Sequence, residues 1–358
     1  MLKIEKVKII VITQDDLYER IYIMITLKNR RTDLAIEAHE IFINSSQSNE
    51  QQAQQRTPPG VIVENDGDEE VKVTRVRITS KAGEQAIGKP IGNYITLEVP
   101  DLKFNDEELH EKTIKHMSKE LVDMLKLKED STILVIGLGN WNVTPDSLGP
   151  KVVSSLMVTR HLLEYVPEHV DEGVRPVCAL APGVLGITGI ETSEVVRGVV
   201  ERVKPDFVIA IDALAARNME RVSTTIQIAD TGISPGAGVG NKRKELTKNT
   251  LGVPVIAIGV PTVVDAATLT NDAMDLVIDS LMNESKESKD FYNMLKSINR
   301  DEKYELLQEA LNPFVGQLIV TPKEIDDIIN RVSKVVANGL NIALHQGITL
   351  KDINKYIN

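Results

Sequence analysis

The chain has 358 residues, room for one large domain or two smaller ones at about 150 residues each. Hydrophobic residues make up 42% and charged residues 26%, which excludes a disordered chain, a collagen-like repeat and a membrane bundle. Lys and Arg number 41 against 52 Asp and Glu, a net charge of −11 that argues against direct nucleic-acid binding. With Cys178 as the single cysteine, neither an intrachain disulfide nor a cysteine-based zinc site can form, and a reducing compartment fits best.

The apolar runs at 7–13 and 21–27 are short and are separated by Asp15, Asp16, Glu19 and Arg20. That interruption argues against a signal peptide, and no run approaches the roughly eighteen residues of a membrane helix. Residues 47–55 are polar without a period and are followed by Pro58, Pro59 and Gly60, which reads as an exposed loop. Short β-rich runs at 61–63, 71–78 and 94–99 predict a small antiparallel sheet, with a bulge where the apolar phase shifts between Val73 and Val76. Acidic residues at 106–108 open a helix, along which Leu109, Ile114, Met117, Leu121 and Leu125 recur on one face.

Beyond residue 131 the pattern changes. Continuous apolar runs at 132–138, 207–211 and 255–260 predict strands buried on both faces, with weaker candidates at 177–180 and 225–228. Helix-like segments at 151–165, 191–203 and 266–282 lie between them, so the fold class is α/β: a mainly parallel sheet with flanking helices, plus the small antiparallel β subdomain. A charged, loosely helical stretch follows. Residues 318–320 then predict a strand, Pro322 opens a helix to 336, and a second helix covers 339–345. The expected organisation is a leader at 1–33, an N-terminal segment at 34–104, a catalytic core at 105–282, and a C-terminal extension at 283–358 returning one strand to the core.

Ligands of open parallel sheets sit beyond the carboxyl ends of the strands. Two loops there carry aspartates: Asp146 a few residues after the run at 132–138, and Asp212 immediately after the run at 207–211. If the strands are neighbours the carboxylates meet, share a proton and split their pKa values. One can then take a proton from water while the other donates to a departing amide nitrogen, which suits peptide-bond hydrolysis. The alternative is structural, with Asp146 capping a helix and Asp212 bonding loop amides. Gly137 and Gly139 begin a dinucleotide fingerprint, but Asn142 stands where its third glycine belongs. Residues 234–245 form a glycine-rich turn ending in Lys242, Arg243 and Lys244, which could hold an acidic side chain or could be a surface loop. The six histidines are scattered without a zinc-binding spacing, so no metal is assigned, and no Ser-His-Asp signature occurs.

The stretches GLGNWNVTPDSLGPKVV (137–153), APGVLGITGIETSEV (181–195), PDFVIAIDALAAR (205–217), GISPGAGVGNKRKE (232–245) and GVPVIAIGVPTVVDA (252–266) closely resemble the spore germination protease family. RTDLAIEA (31–38) and LIVTPKEID (318–326) resemble it too. The resemblance implies a cytoplasmic endopeptidase of the spore core that degrades small acid-soluble spore proteins, with a fold like that of the hydrogenase maturation endopeptidases. Its two aspartates match Asp146 and Asp212, and no cofactor is implied. A metal-dependent peptidase using the same aspartates as ligands is the alternative. The family suggests a homotetramer and an inactive precursor cut after an acidic residue that precedes a hydrophobic residue and alanine. Asp33, Leu34 and Ala35 fit, which predicts cleavage between Asp33 and Leu34. Arg30 departs from the acid favoured three positions earlier, and the first twenty or so residues look foreign to the family, with Met24 a more typical start. The cluster Lys242, Arg243 and Lys244 is expected to recognise the acidic side chain of the substrate.

Overall fold

A computed structural model describes residues 32–45, 57–236, 243–284, 293–294, 303, 306–307, 309 and 318–353. The elements, in chain order, are α1 (Ala35–Ser45), β1 (Val61–Gly67), β2 (Lys72–Ile78), α2 (Lys81–Ile87), β3 (Gly92–Glu98), α3 (Glu107–Leu125) and β4 (Ile133–Gly137). There follow α4 (Leu148–Ser154), α5 (Arg160–Tyr165), β5 (Val177–Leu180), α6 (Leu185–Thr188), α7 (Thr192–Val203), β6 (Phe207–Ala216) and β7 (Thr225–Ala229). The last are α8 (Lys248–Leu251), β8 (Val255–Asp265), α9 (Ala266–Glu284), β9 (Ile319–Val320), α10 (Ile325–Leu344) and α11 (Leu350–Ile353).

The sheet is mixed rather than mainly parallel. Strands β8, β6, β4 and β5 run parallel in that spatial order, as the buried apolar runs require. Strand β7 lies antiparallel on β8, because the short turn after β6 leaves no room for a crossover. Strand β3 pairs antiparallel with β7, β2 with β3 and β1 with β2, so the N-terminal strands extend the main sheet instead of forming a separate one. Strand β9 returns from the C-terminal segment to pair with the end of β8.

Period-two alternation sends the strand side chains to two covered faces. Ile209, Ile211, Ile226, Ile228, Ile95, Leu97 and Val73 join a core with α3 and α10. On the other face Leu134, Ile136, Val208 and Ala210 pack with Val196 and Val200 of α7, while Val76, Ile78 and Tyr94 pack with Ala35 and Ala38 of α1. This removes the expected bulge in β2. Its register with both neighbours is unbroken, and Val73 and Val76 serve opposite faces.

Two helix boundaries also differ from expectation. The segment 151–165 is broken at 155–159, where Asn341 of α10 accepts from the Met157 amide (2.9 Å) and donates to the Ser155 carbonyl (3.3 Å). Conversely α10 runs unbroken through Gly339, which is buried against Met117 of α3.

Helix α4 starts tight against the sheet. A Cβ on Gly149 would stand 2.3 Å from the Leu138 carbonyl oxygen and 2.7 Å from that of Ile211. Gly149→Ala is therefore expected to cost about 1–3 kcal/mol in urea unfolding, because backbone rather than a side-chain tip must move. It should also lower activity by displacing the adjoining loop.

Candidate active site

Asp212 follows Val208 and Ala210 on the same face of β6, past the point where α7 covers that face. It is 5% exposed, and its Oδ1 accepts from the Ala213 amide at 3.0 Å. Asp146 ends a 3₁₀ turn after β4, the strand paired with β6. The Asn140 amide donates both to the Asp146 carboxylate (2.8 Å) and to its carbonyl oxygen (3.0 Å). Gly139 permits that tight return, with φ +110° and no Cβ where one would stand 2.0 Å from the Asp146 carbonyl oxygen.

Both aspartates line one cavity of about 310 Å³, walled on its apolar side by Val143, Val184 and Leu185. Burial raises the pKa of Asp146 against the pull of the Asn140 amide. Asp212 is raised well above the ordinary carboxyl range, first by burial and then by the charges of Asp146 and Asp33. The structural alternative also holds in part, since each aspartate does accept a loop amide. A single amide, however, leaves each carboxylate with acceptor capacity facing the cavity.

Asp33 lines the same cavity. Its amide donates to the Ala215 carbonyl (3.2 Å), and its carboxylate accepts from the Ala215 amide (3.0 Å). Leu34 is fully buried beside Leu214 and Val264. Glu37 accepts from the amides of Arg217 (2.8 Å) and Asn218 (2.9 Å) and from the Thr32 hydroxyl. The expected cleavage junction is thus laid along the sheet, against the end of β6. A neighbouring cavity of about 960 Å³ shares Asp33 and Asp212 and adds Lys89 and Gln227. Lys89 Nζ donates to the carbonyls of Thr32 (3.1 Å) and Asp33 (3.0 Å). Gln227 Nε2 donates to the Asp33 carbonyl (3.1 Å), and its Oε1 accepts from the Ala35 amide (2.6 Å).

Of the basic cluster, half-buried Arg243 lines the cavity of the two aspartates. Lys244 is exposed and faces Glu194 at 3.7 Å, and Lys242 lies outside the described residues. Residues 1–23 and Met24 lie outside them as well. Cys178 is half-buried, and burial raises its pKa, as for an unreactive thiol. Among the described residues no group of three or more His, Cys, Asp or Glu is arranged to hold a metal ion. Nor is any helix among them long and apolar enough to cross a membrane.

Sequence reasoning missed Lys89 and Gln227. Gln227 carried one signal, a lone polar residue between Ile226 and Ile228 in a buried strand. Lys89, in a turn beside Pro90, carried none.

Two carboxyl groups of raised pKa lining one cavity, with a length of chain bonded beside them, suit hydrolytic chemistry. The family model described as germination protease matches residues 35–296 and 278–357. A germination protease of Clostridium tetani is 53% identical over 92% of this chain and 99% of its own length. One from Caldanaerobacter subterraneus is 50% identical over 93% and 100%, and one from Bacillus cereus is 46% identical over 91% and 96%. The chain belongs to the germination protease family, and is a peptidase with a role in germination.

Proposed function

We propose that the protein is an endopeptidase that degrades small acid-soluble spore proteins during germination. It is made as an inactive precursor and activated by cleavage between Asp33 and Leu34. Asp146 and Asp212 divide the acid and base work. The observation that carries this reading is that both aspartates and Asp33 line one cavity. Asp212, more deeply buried and next to two other carboxylates, holds the proton and donates it to the leaving amide nitrogen. Asp146, nearer solvent, is the base that activates water. Purified protein incubated with a small acid-soluble spore protein should yield new termini after acidic residues, and Asp212→Asn should yield none. Uncut substrate with the wild-type chain overturns the reading.

Two further expectations belong here. Arg243 supplies the positive charge for the acidic residue before the cut, so Arg243→Glu should raise KM for such substrates by roughly tenfold or more. An unchanged KM removes Arg243 from recognition. Cleavage should also survive exhaustive chelation, whereas loss with a chelator and return with a divalent cation would make the aspartates metal ligands. A homotetramer is in keeping with the apolar surface of α9, where Leu276 and Val277 are exposed. Sedimentation would measure its mass.

A further inference from the structure

Among the described residues, Lys89 stands out as a cation spent on backbone. Its ammonium hydrogen-bonds two carbonyl oxygens, those of Thr32 and Asp33, and the carboxylates of Asp33 and Glu37 act on its charge. A half-buried ammonium aimed at carbonyl oxygens is placed to meet negative charge that develops on them. The Asp33 carbonyl also receives the amide of Gln227, so one oxygen has two donors, at 3.0 and 3.1 Å, one of them charged. That oxygen belongs to the bond whose cleavage is proposed above. Gln227 and Asp212 both stand opposite Gly259, on the strands either side of β8, and so present side chains to the same face. Burial lowers the pKa of Lys89, while the carboxylates of Asp33 and Glu37 raise it.

We propose that Lys89 and Gln227 are the donors that polarise the Asp33 carbonyl and hold the oxyanion formed when water attacks it. This rests on the reading that the junction is cut by the Asp146–Asp212 pair. Water adds to the Asp33 carbonyl carbon and gives its proton to the ionised carboxylate. The π electrons move onto the oxygen, where the two donors meet them. Collapse restores the carbonyl and breaks the bond to the Leu34 nitrogen, which takes the proton of the other carboxyl. The products are a new carboxylic acid at Asp33, which then ionises to solvent, and an amine at Leu34. Preorganised donors of this kind act strongly in a dry site and typically contribute roughly 10²–10³-fold each. The second contact of Gln227, to the Ala35 amide, fixes the chain two residues past the Asp33 carbonyl, so the peptide plane cannot turn away.

The test follows the first-order appearance of an amino terminus at Leu34 by mass spectrometry. Purified full-length chain is incubated from mildly acidic to neutral pH, with thermal midpoints recorded in parallel. Gln227→Glu keeps an acceptor for Ala35 and, when ionised, replaces the donor with a negatively charged oxygen. Lys89→Met removes the charge and keeps the length, and Lys89→Arg keeps a charged donor. Slowing of roughly 10²-fold or more in the first two, with substantial recovery in the arginine variant and unchanged midpoints, supports the proposal. Wild-type rates in Gln227→Glu and Lys89→Met overturn it while leaving the cleavage reading intact. Should Lys89→Met not fold, Gln227→Glu decides by itself. Asp212→Asn is the control for the reading: if it processes like wild type, or if the wild-type junction is never cut, reading and proposal fall together.

Discussion

Asp212→Asn should abolish peptide-bond cleavage, by at least roughly 10⁴-fold, and leave the protein as stable as before or more so at neutral pH. The two outcomes share a cause. Asp212 is buried between other acids, and its pKa in the folded chain lies well above the ordinary value. The folded state therefore binds this proton more tightly than the unfolded state does. At neutral pH ionisation favours the unfolded chain, and the group subtracts from stability. That deficit shrinks as pH falls through the folded pKa and disappears below the unfolded value near 4. Asparagine keeps an oxygen for the Ala213 amide but carries no charge, so its unfolding midpoint should exceed or equal that of wild type at neutral pH. The difference should close in acid. A variant that loses stability along with activity would make Asp212 a structural residue and leave the cavity without its acid.

The sequence made the parallel half of the fold legible because its strands are buried on both faces, which writes continuous apolar runs such as 133–137. The antiparallel half was harder to read for the same physical reason. β2 is also covered on both faces, but by alternating contributions, so Val73 and Val76 looked like a phase error when they face different layers. Strand β7 hid its direction, since orientation depends on the length of a connection and not on its composition. The aspartates were visible because strand-end position is local information. Lys89 and Gln227 were not, because their meaning lies in a contact with Asp33 across 56 and 194 positions of sequence. The motif at 31–38 suggested a cleavage site, but nothing in it said that Asp33 lines the cavity of the two aspartates.

A chain begun at Leu34 should turn over external substrate roughly 10²–10³-fold faster than the intact chain, provided mass spectrometry shows the latter uncut before and after the assay. Asp33, the last residue of the proposed leader, lies along the end of β6, held by Ala215, Lys89 and Gln227. A tethered segment competes at an effective concentration of about millimolar, so it excludes a micromolar substrate even when its own affinity is modest. The proposed position of the cut accords with burial. Asp33 touches the cavity, whereas Leu34, Ile36 and Glu37 are embedded in the fold and hold α1 against the sheet. Removing residues 1–33 should thus free the cleft without opening the core. Removing residues 1–45 as well would take Leu34 with it, and burial of one such leucine alone accounts for about 2–5 kcal/mol. The longer truncation should therefore unfold at markedly lower urea while the shorter one does not. Equal turnover by the uncut chain and the chain begun at Leu34 would show that the seated junction blocks nothing.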